Sequence, residues 1–71
     1  MDKNFSFKKG YRKLTLEQIP KVRAKICEVL GLAEVTSFYP RLNGKIEPKI
    51  SEARAIENVF AEYGITDIWG E

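Results

Sequence analysis

The sequence predicts one compact all-α domain of three to four helices behind a basic N-terminal arm. Three observations carry this. Apolar residues recur at spacings of three and four in two stretches, Ile19 to Leu30 and Ala53 to Tyr63, which is the period of a helix with one buried face. Each stretch opens near a capping residue and closes at a glycine, Gly31 and Gly64. A chain of 71 residues has room for one domain only. The expected division is residues 1–14 as the arm and residues 15–71 as the domain.

The arm, MDKNFSFKKGYRKL, alternates Phe5 and Phe7 with polar neighbours and surrounds Gly10 and Tyr11 with Lys8, Lys9, Arg12 and Lys13. That pattern reads as extended or disordered chain, or as a short strand. Its mixture suits the phosphates of a nucleic acid, while Phe5 or Tyr11 could instead pack back onto a small core. Thr15 with Gln18 three residues later forms a capping-box signal, and Pro20 is tolerated in a first helical turn, so a helix begins between 15 and 20. Its stripe is Ile19, Val22, Ile26, Val29 and Leu30, with Cys27 at the edge as a small packing residue and Lys21, Arg23 and Lys25 outward.

After Gly31, Thr36 or Ser37 can cap a short helix that runs to about Asn43 and stops at Gly44, with Phe38 and Leu42 inward. Pro40 must lie in its first turn, because a mid-helix proline costs about 3 kcal/mol. Ser51 is the expected N-cap of the next helix, whose buried face is Ala53, Ile56, Val59, Phe60 and Tyr63. The tail ITDIWGE brings Ile65, Ile68 and Trp69 back over the core or across a partner chain.

Composition narrows the function. Cys27 is the only cysteine and histidine is absent, which removes zinc fingers, histidine acid-base catalysis and internal disulfides. No glycine-rich phosphate loop, paired-acid motif or nucleophile elbow is present, so the expectation is a non-enzyme with no catalytic residues, cofactor, metal or small-molecule substrate. No apolar run approaches the roughly 18 residues of a membrane span, and MDKNFSFKKG has no signal-like apolar segment; a cytoplasmic protein with no membrane partner is expected. The net charge of +2 hides a gradient. Residues 1–25 carry eight Lys/Arg against Asp2 and Glu17, residues 26–50 balance, and residues 51–71 carry Arg54 against five acids. A basic first third suits a polyanion or is simply a solvated face.

Two helices joined at Gly31, the second short with a polar outer face, have the outline of a helix-turn-helix. Cys27 and Gly31 stand four apart, then come Arg41-Leu42-Asn43-Gly44-Lys45, Glu47-Pro48 and Gly64-Ile65. In that order these residues resemble the phage-repressor and Cro-like helix-turn-helix family, especially short DNA-binding regulators of phages and mobile elements. The resemblance covers residues 20 to 66. The chain departs from the family in lacking the separate helix before the helix-turn-helix or replacing it with residues 1–19, in a thinner core, in a connection from Gly31 to Phe38 one residue longer than typical, and in Pro40 within the recognition helix.

The resemblance implies sequence-specific binding of double-stranded DNA by a repressor-like transcriptional regulator. Thr36, Ser37, Tyr39, Arg41 and Asn43 would read bases in the major groove. Lys8, Lys9, Arg12, Lys13, Lys45 and Lys49 would neutralise phosphates. The acidic last helix would face away from DNA, and its apolar end, with Tyr63, Ile65, Ile68 and Trp69, would be the contact of a homodimer. For Arg41 the alternative is an ion pair with Glu28, Glu34 or Glu47, for Asn43 a helix-ending turn, and for Trp69 core packing. The competing functions are a protein-interaction module on the same scaffold that does not touch DNA, and single-stranded RNA binding through Phe5, Phe7 and Tyr11.

Overall fold

A computed structural model describes residues 5–70, and all regular structure among them is helical. Helix α1 spans Lys8–Tyr11, α2 Gln18–Leu30, α3 Phe38–Leu42 and α4 Ile50–Ala61; a 3-10 turn, Val35–Ser37, leads directly into α3. The domain is the expected small all-α globule.

The long helices form for the local reasons their sequence suggests. Thr15 and Gln18 make the reciprocal capping pair, the Gln18 N–H donating to Thr15 Oγ1 at 3.2 Å and the Thr15 N–H to Gln18 Oε1 at 3.0 Å. At its other end α2 closes in a Schellman turn: the Leu32 N–H reaches the Cys27 carbonyl at 2.8 Å and Gly31 takes φ 69°. The same pairing closes α3, where the Lys45 N–H reaches the Pro40 carbonyl and Gly44 has φ 81°, and it recurs after α4 at Gly64. The expected N-cap of α4 is corrected. The helix begins two residues earlier, with Lys49 as the cap and Ser51 inside the first turn. The Glu52 carboxylate accepts the Lys49 N–H at 3.0 Å, and because an ammonium has no lone pair to return the bond, only half of a capping box forms.

Helix α2 packs chiefly against α4, and α3 closes one end of the pair. Ten apolar side chains make the core: Phe7, Leu14, Val22, Ile26, Phe38, Leu42, Ile56, Val59, Phe60 and Ile68. Val29, placed on the α2 stripe by spacing, is instead exposed, because the helix face toward α4 is narrower than the five-residue stripe.

The largest correction concerns the arm. Residues 1–4 lie outside the described residues, but residues 5–14 are not extended and belong to the same core as the rest. Phe7, Tyr11 and Leu14 stand at i, i+4 and i+7, and all three pack inward around the one-turn helix α1. The Phe7 ring meets Phe38, Phe60 and Trp69 edge-on at 5.7, 6.2 and 6.1 Å. Buried Ser6 donates from Oγ to the Leu42 carbonyl at 2.8 Å, and the Phe7 N–H donates to the same oxygen, so this segment supplies the donors that the end of α3 lacks. The tail then lies along its other side. Lys9 and Gly10 donate to the carbonyls of Gly70 and Ile68, and the Gly70 N–H returns a bond to the Ser6 carbonyl at 2.6 Å. Segments 5–14 and 65–70 thereby both contribute to the hydrophobic core.

Candidate nucleic-acid interface

The unit formed by α2, the turn at Gly31 and the helical run 35–42 presents one outward face. Phe38 and Leu42 are buried beneath it. Thr36, Ser37 and Tyr39 are exposed, Tyr39 retaining 42% of its surface with its ring edge-on to Phe38 at 5.4 Å. Neither Thr36 nor Ser37 caps the run, contrary to expectation, because helical turns begin at Val35 under an extended Glu34. The Thr36 hydroxyl donates instead to Glu34 Oε2 at 3.2 Å.

Arg41 is placed differently from the expected base readers Thr36, Ser37 and Tyr39. Its Nη1 lies 3.4 Å from Glu52 Oε1 on α4, both side chains being largely covered, at 20% and 23% exposed. Its partner is therefore none of Glu28, Glu34 and Glu47, and its buried Nε has no hydrogen-bond partner among the described residues. The acidic helix α4 thus does not turn wholly away from the α3 unit: Glu52 joins the two. The Lys49 N–H holds the Glu52 carboxyl below the usual carboxylate range, and Arg41 adds to this against the opposing effect of burial. Asn43 is half-buried at the C-cap of α3, in the helix-ending turn.

The cationic residues fall in two groups. Lys45 and Lys49 are exposed on the loop between α3 and α4. Lys8, Lys9, Arg12 and Lys13 ride on and just after α1, which adjoins α3 through Tyr11 and Phe38, whose rings are 5.6 Å apart. Two of these lysines are engaged. Lys9 Nζ lies 3.2 Å and Lys13 Nζ 3.7 Å from Asp67 Oδ2, and Lys13 also donates to the Asp67 carbonyl at 2.9 Å. Lys9 foremost, then Lys13, lowers the Asp67 carboxyl below its ordinary value.

Of the expected dimer contacts, Ile68 is 1% exposed within the single chain and cannot also face a partner. Tyr63, Ile65 and Trp69 are half-buried against the core; the Trp69 indole N–H donates to Glu57 Oε2 at 2.8 Å. An open groove of about 390 Å³ runs between α2 and residues 32–35, floored by Pro20, Ala24, Cys27 and Leu32 and rimmed by Arg23, Glu28 and Glu34. Cys27 is partly buried there, packed against the core. Among the described residues no group of three or more Cys, Asp or Glu could hold a metal, and no helix is long and apolar enough to cross a membrane.

Sequence reasoning missed Glu52, Asp67 and Ser6. Glu52 carried a signal, since it stands three residues after Lys49 at the start of a helix. Asp67 and Ser6 carried none, because their partners are 54 and 36 residues away.

No protein-family model matches the chain, and neither curated proteins nor solved structures give a significant match.

Proposed function

We propose that this chain is a small helix-turn-helix regulator that binds double-stranded DNA, with the helical run 35–42 entering the major groove. One observation carries the reading: a helix, a glycine-closed turn and a second short helix that buries Phe38 and Leu42 while exposing Thr36, Ser37 and Tyr39. Such a unit can set a polar helix face into a groove about 12 Å wide. Lys45 and Lys49 beyond one end of α3, and Lys8 on the adjoining α1, have the charge to meet phosphates on either side. Arg41 serves as a brace between α3 and α4, which leaves Thr36, Ser37 and Tyr39 as the base-facing set and Asn43 at its margin. A repressor-like role, and a homodimer through the half-buried Tyr63, Ile65 and Trp69, belong to the same proposal.

The test is selection from a random duplex library at about 0.15 M salt, where specific binding exceeds non-specific binding by about 10³ or more. An enriched palindrome with half-sites near 10 base pairs apart is the expected result. A folded protein that enriches nothing would refute the reading. The groove along α2 supports a second reading, a protein-interaction module; in that case Tyr39→Ala leaves partner binding intact and DNA retention is absent. Stacking of RNA bases on Phe7 has no support, since Phe7 is buried.

A further inference from the structure

The outward face of the 35–42 run is chemically narrow, and this bears on which bases it can recognise. Guanine is read by Arg or Lys donating to O6 and N7, and adenine by the amide of Asn or Gln. Between Ala33 and Leu42 the only residue of any of these types is Arg41, and it is drawn back onto Glu52 at 3.4 Å. Asn43 lies at the far end of the run, in the turn that closes α3, whereas a recognition helix reads mainly with its N-terminal part. The exposed residues at that N-terminal part are Glu34, Val35, Thr36, Ser37 and Tyr39, of which Glu34 alone is charged. Val35 is 47% and Tyr39 42% exposed, one helical turn apart. Between them the Thr36 hydroxyl spends its one donor on Glu34, so that side chain offers a base its methyl group and an acceptor oxygen. Ser37 adds a hydroxyl that pairs with any base and discriminates little.

We infer, resting on the DNA-binding reading above, that Val35, Thr36 and Tyr39 form an apolar reader of thymine 5-methyl groups. The favoured operator then places thymines, on one strand or the other, at successive major-groove positions under this face. Val35 is the new member of the site: its polarity gave no reason to count it among base readers, and its exposure does.

The experiment uses the full chain and the duplex enriched by selection. Each thymine is replaced in turn by deoxyuridine, which removes the 5-methyl and leaves base pairing unchanged. Replacement at a contacted position should weaken binding about four-fold per methyl, the value of one buried carbon in transfer terms. In Val35→Ala the thymine-over-uracil preference at one position should shrink toward unity. Tyr39→Ser should do the same at a neighbouring position. Both side chains are exposed, and circular dichroism establishes that each variant is folded. Equal binding of thymine and deoxyuridine duplexes overturns the inference while leaving the DNA-binding reading in place. So does an enriched motif whose binding is abolished by 7-deazaguanine, which removes a guanine acceptor. A library that yields no motif overturns both. Sedimentation showing that Val35→Ala and Tyr39→Ser disrupt self-association, with the thymine preference untouched, assigns the patch to a second copy and also overturns it.

Discussion

Gly10→Ala is the substitution for which local and tertiary reasoning disagree most sharply. Gly10 lies inside α1, where alanine is ordinarily better than glycine by about 0.5–1 kcal/mol. A methyl at this site, however, would stand 2.6 Å from Ile68 Cγ2, 2.7 Å from its Cβ and 2.9 Å from its Cα. Carbon atoms rest at roughly 3.5–4.0 Å, so about 1 Å must be opened, and a rotamer change cannot open it because one obstacle is backbone. The tail must move outward. That strains the bonds from Gly10 to the Ile68 carbonyl and from Lys9 to the Gly70 carbonyl, and it lifts Ile68 from the core. Overpacking alone costs about 1–3 kcal/mol, and losing the burial of Ile68 costs about 1.5–3 kcal/mol. After subtracting the helical gain, the net loss is about 1.5–5.5 kcal/mol. A core of this size supplies only about 3–5 kcal/mol, so the variant should be barely folded at 25 °C. Urea unfolding followed by Trp69 fluorescence and circular dichroism measures this. Ile68→Ala in the same chain removes the nearest clashing atom, so the double variant should lose less than the two single losses combined. A Gly10→Ala protein as stable as the parent would refute the packing of the tail on α1.

Three further outcomes are expected. Gly31 and Gly44 both have positive φ, but an added methyl meets nothing within 4 Å at Gly31 and the Ser6 backbone nitrogen at 2.8 Å at Gly44. Gly31→Ala should therefore cost about 1–2 kcal/mol and Gly44→Ala clearly more; equal losses in parallel urea titrations would contradict the close approach of the 5–14 segment. Glu52 has a folded-state pKa below its ordinary 4.5, so its stabilisation is complete above that value and is lost as pH falls through the folded pKa. The stability gap between the parent and Glu52→Gln should thus be largest near neutrality and shrink below about pH 4; a gap that widens on acidification would reverse the assignment. Asp67→Asn removes the charge that pairs with Lys9 and Lys13, while Lys13 keeps its bond to the residue 67 carbonyl, and each lysine that gains a phosphate should steepen the log-log salt dependence of DNA binding by about 0.9. A slope identical to that of the parent would mean that neither lysine reaches the backbone.

The parts legible in the sequence were those set within a turn or two of chain. The 3.6-residue period of Val22, Ile26, Ile56, Val59 and Phe60, the Thr15–Gln18 pair, and the glycine stops at 31, 44 and 64 locate α2, α4 and the ends of three helices. Short segments were harder. The Phe5-Ser6-Phe7 alternation reads as strand, and only the three positions Phe7, Tyr11 and Leu14 register the helical period, too few to outweigh it without a partner surface. The candidate interface divides the same way. That Thr36, Ser37 and Tyr39 share a face follows from helical spacing, whereas the withdrawal of Arg41 from it depends on Glu52, which the loop between α3 and α4 brings within reach.

Taken alone, the amino-acid sequence determined that this chain is an all-α domain with two amphipathic helices, which glycines close them, and that Phe38 and Leu42 point inward. Those features depend on side-chain period, capping hydrogen bonds and the left-handed conformation, all of which act over a few residues. Tertiary structure decided that segments 5–14 and 65–70 enter the core, that Gly10 is an interface against Ile68, and that Glu52 and Asp67 pair with cations distant in sequence. These depend on which apolar surfaces meet across 30 to 60 residues of chain, and the burial of Phe7 and Ile68 against each other's neighbours supplies the free energy that closes those loops.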